Sequence, residues 1–251
     1  MRRLSYIIVS LIMILTVSSI TAFARPDWPT DTGVQSEAGI VMDMDSGAVL
    51  FAQNIHEQKI PASITKLLTA LVVIENCDNL DAKITFSHDA VYNVESGSGN
   101  KLALEEGDVL SVRECLYVML LQSSNQAANA LAEYIGGSRS GFVDMMNQKV
   151  ADLGCQESHF ANPSGLNDDT QRTTAYDMAI IARACFQNPT VLEIASARTS
   201  TIPATANNPN GRTFSIEHKM LLSDDSNYYP DAIAGKTGWT SQAGQTLVTY
   251  A

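Results

Sequence analysis

Ser63 and Lys66 stand three residues apart in Pro61-Ala62-Ser63-Ile64-Thr65-Lys66. A serine hydroxyl attacks a carbonyl at neutral pH only with a base beside it. Lysine can be that base when burial and nearby positive charge disfavour its ammonium form. On a helix, residues three apart share a face, so hydroxyl and amine can meet. The helix start also offers the Ser63 backbone N–H to a developing oxyanion. A capping serine followed by a surface lysine has the same pattern, so the pair alone is weak evidence. Ser98-Gly99-Asn100-Lys101 repeats it, in a glycine-bearing loop with no apolar helix behind it.

Two further clusters could complete such a site. Lys236-Thr237-Gly238 is a triplet expected by chance about once in several thousand positions. At a strand end, Lys236 and Thr237 can hold a carboxylate. The strand edge can pair with an extended peptide, and Gly238 lets a ligand come close. The plainer reading is a strand running into a turn at Gly238. Ser123-Ser124-Asn125 lies between two helices, where serine and asparagine are ordinary caps. Ser98-Gly99-Asn100 matches Ser-x-Asn as well. Ser123 is the better candidate, because an inter-helix corner can hold two side chains rigidly over a cleft.

The elements that must position these groups read as follows. Ala38–Met44 and Ala48–Ala52 are strand-like and joined by Asp45-Ser46-Gly47, which predicts a hairpin. Ile64, Leu67, Leu68, Leu71 and Val72 recur at helical spacing, after a proline suited to a helix entry. Short strands are expected around Ile84–Phe86 and Lys101–Leu104. Ser111-Val112-Arg113-Glu114 reads as a capping box. Helices are expected over residues 126–135, 141–153 and 174–187, the last capped by Thr174. Phe160–Leu166 is rich in turn residues. Strand character returns at Thr213–Glu217, Ala232–Thr237 and Gln245–Tyr250. Strands at both ends with helices between predict an α+β domain, its antiparallel sheet built from both termini around a helical insertion at about 78–200.

Met1-Arg2-Arg3, an apolar run over Leu4–Ile20 and Ala22-Phe23-Ala24 form a secretory signal peptide, residues 1–24. An uncleaved membrane anchor is the rival reading, but the run is short and broken by Ser10, Thr16, Ser18 and Ser19. Residues 25–37 read as a linker and 38–251 as the catalytic domain. The net charge is −11 over 251 residues. Such a chain is a poor match for nucleic acid or anionic lipid. Cys77, Cys115, Cys155 and Cys185 have no Cys-x-x-Cys spacing, so zinc is not expected. Export permits disulfides, and three pairings stay open. Cys115 and Cys185 fall on apolar helix stripes, which favours buried free thiols.

Ser-x-x-Lys, Ser-x-Asn and Lys-Thr-Gly occur here in the order found in penicillin-recognising serine enzymes. More closely, the chain resembles the low-molecular-mass penicillin-binding proteins that act as serine-type D-alanyl-D-alanine carboxypeptidases. Pro61–Lys66, Ser123–Ala128, Ala161–Leu166 and Gly235–Thr240 all look like that family, over about residues 38–251. The resemblance implies the β-lactamase/transpeptidase-like fold. It also implies that Ser63 attacks the terminal D-Ala-D-Ala bond, that neutral Lys66 takes its proton, and that Ser63 and Trp239 N–H groups form the oxyanion hole. Ser123 would relay a proton to the leaving D-alanine, and Asn125 would orient Lys66 and the substrate amide. Lys236 and Thr237, with Gly238 beside them, would bind the terminal carboxylate, and Lys236 would help keep Lys66 deprotonated. No metal or cofactor is implied. The implied partners are peptidoglycan stem peptides and β-lactams, in the extracytoplasmic envelope.

Two departures stand out. Trp239 fills a position where the family often has another aromatic residue or histidine. Ala251 falls inside an expected sheet strand, where the family continues with strands, a closing helix and often a β-domain and membrane anchor, so a fragment is expected. Three other functions use the same residues. A class A β-lactamase would need a Glu-x-x-x-Asn deacylation base, and none lies between Asn125 and Lys236. A D,D-endopeptidase would need a wider cleft, and a penicillin sensor would acylate without turnover.

Overall fold

The computed structural model describes residues 33–94 and 98–251, so the leader segment lies outside the described residues. The chain divides into two units, Met1–Ser36 and Glu37–Ala251. The second carries all the elements below.

β1 (Gly39–Met42) pairs antiparallel with β2 (Val49–Gln53) around a turn in which Asp43 Oδ1 accepts the Ser46 N–H. A 3-10 turn over Ala62–Ile64 leads into α1 (Thr65–Glu75). β3 (Lys83–Thr85), α2 (His88–Tyr92) and β4 (Val109–Ser111) follow, with β3 and β4 paired antiparallel. Then come α3 (Val112–Gln122), α4 (Asn125–Gly136), α5 (Arg139–Asp152), α6 (Ala175–Gln187) and α7 (Pro189–Ser196). β5 (Thr199–Ile202) pairs with β6 (Arg212–Ser215), and β7 (Ala234–Thr240) with β8 (Gly244–Tyr250). The class is α+β.

α1 is the hub. Every residue from Thr65 to Val73 is buried, and α3 to α7 all pack against it. A helix apolar on all sides must be enclosed by others. Each buried leucine or valine on it contributes about 1.5–3 kcal/mol. The capping box at Ser111–Glu114 and the Thr174 cap form as the sequence predicts.

Three differences from the sequence reading have physical causes. The described strands form four separate two-stranded ladders, each between strands consecutive in the chain. Short connections carry the smallest closure entropy. Lys101–Leu104 is not a strand. Leu102 and Leu104 are both buried, so the alternation reflects a loop tucked into the core, and β4 supplies the pairing instead. Asn188-Pro189, read only as the stop of the preceding helix, starts a further helix that the sequence reading did not assign. Asn188 Oδ1 accepts from the N–H groups of Thr190 and Val191, with Pro189 at the first turn.

Candidate active site

Ser63 lies in the 3-10 turn that feeds α1. Ala62 just before it has φ 50, a left-handed conformation sparsely populated by residues with a Cβ. The surroundings hold that turn. Thr246 of β8 donates its hydroxyl to the Pro61 carbonyl at 2.9 Å. Gly238 of β7 lies so close that a Cβ there would stand 2.8 Å from the Ser63 nitrogen. Gly165, at φ +85, also packs against this turn, where a Cβ would collide with the Ala62 carbonyl. These two glycines let two backbones close on the serine.

Lys66 is fully buried, and its Nζ lies 3.0 Å from Ser63 Oγ, 2.8 Å from Asn125 Oδ1 and 2.5 Å from the Ser164 carbonyl. A neutral amine has two N–H groups and one lone pair. The two carbonyl oxygens can only accept, so they take both N–H groups, and the lone pair is left for the Ser63 hydroxyl. Burial, reinforced by the charge of Lys236, holds the Lys66 pKa well below the usual lysine range. The set can therefore withdraw a proton from Ser63.

The Ser164 carbonyl is aimed by the loop 162–166. Asn162 Oδ1 accepts from the Ser164 hydroxyl and the Gly165 N–H, and its amide donates to the Leu166 carbonyl. Thr69 of α1 donates to the Pro163 carbonyl at 2.7 Å, which ties the loop to the helix.

Asn125 opens α4, and Ser124 caps that helix by accepting the Ala127 N–H. Ser123 ends α3 in the left-handed region, φ 60, which turns the chain sharply between the helices. Ser124 does the capping, and the Ser123 hydroxyl takes no part in it. Among the described residues no hydrogen bond joins it to Lys66 or Ser63.

Lys236 of β7 is buried and donates to the Thr237 carbonyl at 2.6 Å. Burial brings its pKa down to about 8, opposed by the Glu217 carboxylate and aided by the Lys101 ammonium. Thr237 is half-buried, whereas Trp239 is 67% exposed at the far end of the strand. The structure thus joins Ser63, Lys66 and Asn125 by hydrogen bonds, sets Gly238 on the Ser63 nitrogen and places Lys236 within electrostatic reach of Lys66.

Three participants were given no role by the sequence reading: the Ser164 carbonyl, inside the Ala161–Leu166 stretch, Glu217, and Lys101 of the second Ser-x-x-Lys match. Glu217 forms an ion pair with Lys101, and its N–H donates to the Leu121 carbonyl near the Ser123 corner. Lys101 belongs to the second Ser-x-x-Lys match, so that match borders the site without supplying its serine. Among the described residues no cluster of His, Cys, Asp or Glu could hold a metal ion, and no helix is long and apolar enough to cross a membrane.

Comparison with known proteins places this geometry in a family. A family model described as Peptidase_S11, D-alanyl-D-alanine carboxypeptidase, matches residues 25–251. D-alanyl-D-alanine carboxypeptidase DacF of Bacillus subtilis is 30% identical over 253 aligned positions, covering 100% of this chain and 63% of that protein. The chain therefore spans less than two thirds of such relatives. A crystal structure of a D-alanyl-D-alanine carboxypeptidase from Mycobacterium tuberculosis superposes with TM-score 0.77 at 30% identity, covering 92% of this chain and 81% of that one. The Streptomyces K15 DD-transpeptidase superposes with TM-score 0.81 at 27% identity, covering 89% and 87%.

Proposed function

The chain belongs to the D-alanyl-D-alanine carboxypeptidase family, peptidase S11, and on that premise we propose that it removes the terminal D-alanine from peptidoglycan pentapeptides through a Ser63 acyl-enzyme. The observation that carries this is the Lys66 amine, buried and held between Ser63 Oγ and two carbonyl oxygens. In this reading Lys66 takes the Ser63 proton as Oγ attacks. The N–H groups of Ser63 and Trp239 receive the oxyanion. Ser123 passes a proton to the departing D-alanine nitrogen, Asn125 orients Lys66 and the substrate amide, and Lys236 and Thr237 hold the terminal carboxylate. Water then cleaves the ester. Penicillin enters by the same first step and leaves slowly.

The domain assignment belongs to the same proposal: an exported leader at 1–24, a linker at 25–37 and a catalytic domain from 38 that works in the cell envelope. Likeness to a DD-transpeptidase favours a second fate for the acyl-enzyme, transfer to an amine in place of water. Adding an amino-acid acceptor to the assay and measuring peptide product separates the two.

Ser63→Ala is expected to abolish covalent labelling by a fluorescent penicillin and D-alanine release, while Ser98→Ala keeps both. Label retained on the Ser63 variant would refute the assignment.

A further inference from the structure

A cavity of about 560 Å³ opens beside the Ser63 turn, and its walls include Glu37, Lys59, Ile60, Arg172, Gln242 and Gly244. Three observations bear on its occupant. The first is direction. Gly238 lies against the Ser63 nitrogen on the face that the Thr246 side chain shares, and β7, paired with β8 along one edge, has no strand partner among the described residues along the other. A peptide lying along that edge, with its terminal carboxylate at Lys236 and Thr237 and its reacting carbonyl at Ser63, must run its earlier residues past Thr240. There the chain turns through Ser241–Ala243, held by the Ala243 N–H donating to Thr240 Oγ1 at 3.0 Å. At about 3.4 Å per extended residue, the residue two before the reacting D-alanine falls near Gln242 and Gly244.

The second observation is charge. Lys59 is neutralised by Glu37 at 2.8 Å and Glu57 at 2.6 Å. Arg172 forms no salt bridge among the described residues. Its Nη1 donates to the Gln171 carbonyl at 2.6 Å and the Asp168 carbonyl at 3.3 Å. The Asp168 carboxylate accepts from the Thr170 N–H and hydroxyl, which with a smaller contribution from the Arg172 charge hold its pKa below the usual carboxylate range, so Asp168 offsets that charge only in part. The third observation is rigidity. Arg172 exchanges both backbone hydrogen bonds with His159, and its neighbour Thr173 does so with Lys59.

We propose that Arg172, with Gln242 across the cavity mouth, is a subsite for the carboxylate of an acidic stem-peptide residue two positions before the reacting D-alanine. A guanidinium matches a carboxylate with paired N–H groups. The inference rests on the carboxypeptidase reading, because that reading sets the direction of the peptide.

The test uses two pentapeptides, L-Ala-γ-D-Glu-L-Lys-D-Ala-D-Ala and its counterpart with the glutamate carboxylate as carboxamide. The chain is expected to favour the acid form about tenfold in KM, with the ratio shrinking as salt rises. Arg172→Gln brings the ratio near one, and Arg172→Lys retains part of it. Melting curves confirm that both variants fold. A wild-type ratio near one, or a ratio that survives in Arg172→Gln, overturns the subsite. If no D-alanine is released from either peptide, the carboxypeptidase reading fails by itself. Fluorescence-anisotropy titration of the two peptides then decides the subsite, since an acid preference in binding that depends on Arg172 sustains it and equal binding ends it.

Discussion

In the proposed mechanism Lys66 and Lys236 must hold different protonation states at one pH. Lys66 works neutral, so activity falls as pH drops far enough to charge it. Lys236 works charged, and with a pKa of about 8 it loses its hold on a carboxylate as pH rises through that value. The expected profile of kcat/KM is a bell whose alkaline limb, near pH 8, shows as a rising KM. Glu217 favours the Lys236 cation and Lys101 opposes it. Glu217→Gln is therefore expected to move the alkaline limb to lower pH, and Lys101→Met to higher pH. Limbs that stay fixed in both variants would detach the pair from Lys236. Lys66→Ala is expected to slow penicillin acylation by about 10²–10⁴ with the circular dichroism of the parent. Acylation at the parent rate would remove Lys66 as base.

The 162–166 loop is the element that presents an acceptor to Lys66, and it depends on Thr69 and Gly165. Thr69→Val leaves the buried Pro163 carbonyl without its donor, at a cost of about 1–3 kcal/mol. It should lower the melting temperature and the acylation rate together. Gly165→Ala adds a Cβ against the Ala62 carbonyl at a positive φ, and is expected to reduce labelling far more than Gly154→Ala, also at positive φ but in open space. Equal effects would show that strain alone matters. The contact between Ser63 and Lys66 was legible because a three-residue spacing at a helix entry is a local fact. The Ser164 carbonyl was not, because any residue has a carbonyl and only the fold aims it. The Lys101–Glu217 pair joins residues 116 apart, a distance no local pattern encodes. Short α2 and Pro-started α7 gave too few turns for their periodicity to register.

Across the whole molecule the four cysteines remain thiols. Cys115, Cys155 and Cys185 are buried, and burial pushes all three thiols up, Cys155 to about 12. Cys77 is half-buried. In the native protein a thiol reagent should modify Cys77 alone, with the remaining three reacting after denaturation, and a reductant should leave the melting temperature unchanged. Rapid native reaction at Cys115 or Cys185 would contradict the packing. The domain's class and most of its helices were readable from periodicity and caps, whereas the way the β7–β8 hairpin frames the Ser63 turn was not, since it is long-range. That framing governs timing. The link from Thr246 to Pro61 spans 185 residues, and Gly238 reaches Ser63 across nearly as many. Contacts so distant along the chain form late in folding. A half-folded molecule is accordingly mute towards penicillin, and the dye would report the closing event of maturation, arriving only when both ends of the domain have met.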